Sequence, residues 1–83
     1  MSIYPNPVQT NFNVKLEGYS SEFADIVIYD ISGRQIMNVK KQFNPNKDLS
    51  IDLPSSIDDG LYYIRLENNK SIKSIPVIVS RKN

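Results

Sequence analysis

Eighty-three residues, with ten Lys and Arg against nine Asp and Glu and neither Cys nor His, sit near the lower end of what one hydrophobic core sustains, burying about 60–65% of the unfolded surface. The missing Cys removes any disulfide framework or thiolate metal site and leaves the compartment unreadable from redox chemistry. The missing His removes the commonest general base, zinc ligand and triad member, and a net charge of +1 with interleaved signs predicts no nucleic-acid partner and no anionic-membrane field.

No apolar run approaches the roughly 18 residues that span a bilayer, so no membrane insertion is expected. Met1-Ser2 reads as an added start. If the chain is a piece of a longer protein, a leader would sit on that parent, and its absence here says nothing about location.

Apolar and polar residues alternate at period two, and no segment beyond about ten residues keeps a helical period, which predicts an all-β chain. Tyr4-Pro5-Asn6-Pro7 comes first; its two prolines fix φ and extend the residues before them, giving a stiff, edge-like arm. Phe12, Val14 and Leu16 share one face of a strand over residues 11–17, and residues 18–22 read as a loop. Ala24, Ile26 and Ile28 share a face of the next strand, with Val27 and Tyr29 behind them. Asp30-Ile31-Ser32-Gly33 turns the chain, because Asp bonds backbone two residues on and Gly accepts positive φ.

Residues 34–40 return with Ile36, Met37 and Val39, and residues 42–48 read as a polar connection containing Asn44-Pro45-Asn46. Leu49, Ile51 and Leu53 alternate until Pro54, which has no N–H for a ladder. Residues 55–59 bend over the sheet end, and residues 61–67 form the most apolar strand, with Tyr62, Ile64 and Leu66 on one face. Asn68-Asn69 suits a tight hairpin turn, and residues 71–80 close the chain with Ile75, Val77 and Val79 toward the core. Six or seven strands with such turns predict one domain over residues 1–83, a small immunoglobulin-like antiparallel β-sandwich with Greek-key connections and no disulfide.

Gly60-Leu61-Tyr62 fits the tyrosine corner of β-sandwiches, in which a buried Tyr bonds backbone a few residues upstream; the plainer alternative is a buried aromatic with an unpaired hydroxyl. Asp48, Asp52, Asp58 and Asp59 lack the spacing of a Ca²⁺ loop and read as turn caps, and no cofactor or metal is expected. A pair of glycosidase carboxylates would need a cleft that a sandwich of this size hardly encloses. Asn69-Lys70-Ser71 matches a glycosylation acceptor in a pattern short enough for chance. Lys70, Lys73 and Pro76 either keep strange strands off an exposed edge or mark a strand that a receptor reads.

Three signatures stand in fixed order: Tyr4-Pro5-Asn6-Pro7, then Ile28-Tyr29-Asp30-Ile31-Ser32-Gly33-Arg34, then Leu53-Pro54 leading through Gly60-Leu61-Tyr62-Tyr63-Ile64. With a closing basic and apolar strand over residues 73–82, the chain resembles the C-terminal sorting domain of the type IX secretion system, across essentially its whole length. Departures are the lengthened Leu53-to-Gly60 element, Ser74 where a second Lys is common, and Pro76 within the closing strand.

The resemblance implies a passive address at the end of a secreted cargo. It implies partners in the outer-membrane translocon, shuttle and sortase components, a cargo domain N-terminal in the same parent chain, passage through the periplasm, and a secreted or cell-surface destination. It assigns Tyr4, Pro5, Asn6, Pro7, Tyr29, Asp30, Gly33, Arg34, Gly60 and Tyr62 to structural signatures, and Lys73, Arg81, Lys82 and Asn83 to recognition. No catalytic residue is expected. The same sandwich would also serve a carbohydrate-binding or spacer module of a secreted enzyme or adhesin, because fold does not fix function.

Overall fold

Period-two alternation becomes seven strands in the computed structural model, which describes residues 1–15, 22–44, 47–68 and 71–81. They are β1 (Ser2–Tyr4), β2 (Asn11–Lys15), β3 (Glu22–Asp30), β4 (Gln35–Phe43), β5 (Leu49–Asp52), β6 (Gly60–Glu67) and β7 (Ile72–Val79). Two sheets result, one in the order β1-β2-β5 and the other in the order β4-β3-β6-β7. Every strand pair within them is antiparallel.

The chain changes sheet after β2, after β4 and after β5, while β3–β4 and β6–β7 are hairpins. Relative to a constant-type immunoglobulin sandwich, the first, second, third, fifth, sixth and seventh strands keep their places, and the fourth has moved beside the third.

The core lies between the sheets. Phe12 and Val14 of β2 and Ile51 of β5 face Ala24, Ile26 and Ile28 of β3, Tyr62, Ile64 and Leu66 of β6, and Val77 and Val79 of β7. Each fully buried aliphatic side chain here contributes about 1.5–3 kcal/mol. Ile75 is only half-buried against this cluster.

Three core residues lie outside the expected strands: Val8 (0% exposed), Phe43 (3%) and Ile57 (6%). Phe43 belongs to β4, which runs three residues past Lys40 because β3 starts at Glu22 and pairs that far. Ile57 hangs inward from the bend after β5, its N–H held by the Pro54 carbonyl at 3.2 Å. Neither residue has apolar neighbours in sequence to signal burial.

Val8 arrives by a different route. The segment after β1 leaves the three-stranded sheet and forms a parallel bridge between Val8 and Val79 at the free edge of the other sheet. Val8 donates to the Ile78 carbonyl at 2.7 Å, Ser80 donates to the Val8 carbonyl at 2.9 Å, and Ile78 N–H donates to Asn6 Oδ1 at 3.1 Å. Ile78 therefore points its backbone groups away from β6, and so does Pro76 two residues earlier, where a missing N–H costs the β6–β7 ladder nothing.

The turn at Asn68 closes with Asn68 N–H on the Ser71 carbonyl at 3.0 Å and Ser71 N–H on Asn68 Oδ1 at 2.9 Å. Leu16 and Glu17 of the expected second strand, residues 18–21 of the expected loop, Pro45-Asn46, Asn69 and Lys70, and Lys82-Asn83 lie outside the described residues.

Candidate functional site at the signature end

Strand registers carry the sequence signatures to one end of the sandwich. Asp30 pairs with Tyr62, Gly60 with Val79, and Asn11 with Asp52, while Leu53 N–H donates to the Thr10 carbonyl at 2.9 Å. Residues 5–10, the 30–34 turn, the 53–60 bend and the end of β7 therefore lie together. Ser2 pairs with Lys15 at the opposite end.

The turn is built on one carboxylate. Asp30 Oδ1 accepts from Ser32 N–H (3.0 Å), Ser32 Oγ–H (2.6 Å) and Arg34 N–H (3.0 Å), and Oδ2 accepts from Arg34 Nε–H at 3.2 Å. Gly33 supplies φ +87°, which other residues rarely adopt. The Ser32 hydroxyl bond is the largest influence on the Asp30 carboxyl; desolvation, next in size, opposes it, but the Arg34 and Ser32 backbone bonds and the Arg34 charge add to the bond and hold the carboxyl below its ordinary 3.8.

The bend after β5 is tied from two sides. Tyr62 is buried at the start of β6 and donates its hydroxyl to the Asp58 carbonyl at 2.7 Å, which is the tyrosine corner. From the other side Arg81 donates Nη1–H to the Ser55 carbonyl (2.9 Å) and Nη2–H to the Pro54 carbonyl (2.7 Å), and its backbone N–H to Asp59 Oδ1 (2.9 Å). Arg81 Nε is buried with no acceptor.

Two open clefts flank the end of β7. One, of about 510 Å³, is lined by Pro5, Pro7, Gln9, Thr10, Asn11 and Ser80; the other, of about 440 Å³, by Ser55, Ile57, Asp58, Asp59 and Arg81.

The remaining signature tyrosines lie on outer sheet faces. Tyr4 donates its hydroxyl to Asp48 Oδ2, and that bond, with some desolvation and the Asp48 charge, raises its pKa above the ordinary 10.0. Tyr29 accepts from Arg65 Nη2–H at 2.5 Å, with the guanidinium carbon 4.8 Å from the ring centroid. Arg65 also meets Glu67 at 3.3 Å. It lies directly across from Val27, which is 2% exposed although it stands outside the core cluster.

Of the residues tied to recognition, Arg81 is at this end and engaged as described. Lys73 is eight residues back on β7, about 27 Å along the strand, so the two do not meet. Lys82 and Asn83 lie outside the described residues. Sequence reading missed the acceptors that hold Arg81: two are backbone carbonyls, which carry no side-chain signal, and the third, Asp59, looks like any turn acid.

Among the described residues no group of three or more His, Cys, Asp or Glu is placed to hold a metal ion. The arrangement offers a firmly tied surface with exposed polar groups and two clefts, which suits being recognised.

No curated protein matches the chain. The model of one family, described as a secretion system C-terminal sorting domain, matches residues 2–80. With that match across nearly its full length, the chain belongs to the family of type IX secretion C-terminal sorting domains.

Proposed function

We propose that this chain is a passive address, carried at the end of a cargo protein, with no chemistry of its own. The family is a sorting signal that engages type IX secretion machinery on the way across the outer membrane. In our reading the cargo precedes this chain and crosses the periplasm first. The outer-membrane translocon, helped by shuttle components, then recognises the sandwich, and a sortase removes it as the cargo is released or anchored.

The observation that carries the reading is the gathering of residues 5–10, the Asp30 turn, the 53–60 bend with Tyr62 and the end of β7 at one end of the sandwich, opposite the end where Ser2 pairs with Lys15. A cargo joined ahead of Ser2 would stand clear of that surface. Arg81 lies within it, and Lys73, Lys82 and Asn83 remain candidate contacts on or beyond β7.

The test is to fuse the chain behind an inert exported reporter in a bacterium that has the pathway. Appearance of the reporter outside the outer membrane supports the address. Retention in the periplasm with the sandwich folded would reject it and favour an accessory module.

A further inference from the structure

Arg81 reads from sequence as a basic contact for a receptor, but its surroundings describe a different job. Two consecutive carbonyls, Pro54 and Ser55, stand at 2.7 and 2.9 Å from the two terminal nitrogens of its guanidinium. A planar fork satisfies that pair at once, and an ammonium does not. The residue's own N–H is held by Asp59 at 2.9 Å, so both backbone and side chain are fastened to the same bend.

The Pro54 carbonyl also accepts the N–H of Ile57, whose side chain is buried in the core. One residue before Arg81, Ser80 is tied to Val8. The end of β7 is thus clamped between the arm from the three-stranded sheet and the bend after β5.

We infer that Arg81 is a positioning residue: its fork and Asp59 latch the end of β7 to the corner loop, and sorting needs this latched geometry and not the Arg81 charge. The inference rests on the sorting reading above. It explains why an Arg that would otherwise point its charge at a partner instead faces carbonyls of its own chain, with Nε buried.

Arg81→Lys keeps the charge and loses the fork. Asp59→Ala leaves Arg81 untouched and removes the backbone anchor, and Asp59→Asn restores an oxygen acceptor without charge. Leu66→Val, a mild core loss near the end of β6 remote from Gly60, reports what lowered stability alone does.

In the isolated chain, amide exchange at Ile57 and Arg81 should quicken by about tenfold or more in Arg81→Lys and Asp59→Ala, and stay near wild type in Asp59→Asn and Leu66→Val. In the reporter fusion, delivery should fall several-fold in the first two variants and recover in Asp59→Asn. Normal delivery of both Arg81→Lys and Asp59→Ala from a wild type that is delivered would overturn the positioning role, and unchanged exchange would overturn the latch itself. An undelivered wild-type fusion would instead reject the sorting reading and the delivery half of this inference together, while the exchange measurement still decides whether the latch exists.

Discussion

Two side chains at the signature end show how much a single residue holds. Tyr62 joins a buried ring to a hydroxyl bond on Asp58, so Tyr62→Ala should destabilise by about 3–5 kcal/mol and Tyr62→Phe by about 1 kcal/mol. Chemical denaturation separates the two, and equal small losses would mean that neither ring nor hydroxyl matters. Asp30 is half-buried, and its effect is on the pH dependence of stability. Because its folded pKa lies below the unfolded value, its contribution is fully present above about pH 4 and is lost as pH falls through the folded value. The melting temperature of wild type should therefore fall more steeply than that of Asp30→Asn as pH drops below about 4, and parallel curves would contradict the bonding around Oδ1.

At the scale of elements, the Tyr4-Pro5-Asn6-Pro7 segment joins the edge of one sheet to the edge of the other. β1 pairs with β2, and four residues past Tyr4 the chain bridges to β7. Val8→Ala should cost about 1.5–3 kcal/mol through lost burial. Asn6→Ala removes one exposed bond to Ile78 and should cost about 0.5–1.5 kcal/mol. Thermal melts rank the two, and a larger loss from Asn6→Ala would show that capping the β7 edge matters more than the buried valine. The β3–β4 hairpin carries its own irregularity, a register shift between Ile28 and Tyr29 just before the Asp30 turn.

For the whole molecule the sheet order decides what truncation does. β7 is covered by β6 on one side and only at its far end by the arm on the other. Removing residues 76–83 takes Val77 and Val79 from the core, exposes the start of β6 and deletes the Arg81 ties, so it should abolish the cooperative melt. Removing only residues 82–83 leaves every described contact in place and should leave the melting transition unchanged. Loss of the melt in the shorter truncation would place part of the fold's stability in the last two residues. Removing residues 81–83 falls between, because it frees the Pro54 and Ser55 carbonyls and Asp59 while sparing the core valines.

Alternation by itself determined strands β2 to β7, though not β1 or the last three residues of β4, with the faces of β2, β3, β5 and β6 and the turn at Asp30, because strand geometry sends neighbours to opposite faces and Asp and Gly have local reasons to turn. The corner at Tyr62 was legible for the same reason, as a local pairing four residues apart. What only the tertiary structure decided are the partners far apart in sequence. Val8 on Val79, Asn6 on Ile78, and Arg81 on Pro54, Ser55 and Asp59 each depend on how the two sheets are laid together. Phe43 and Ile57 belong with these, since burial of a lone apolar residue among polar neighbours is set by what packs above it. Arg81 shows the difference most plainly: its charge is written in the sequence, but the carbonyls that hold it become a matched pair only once the bend after β5 lies beside the end of β7.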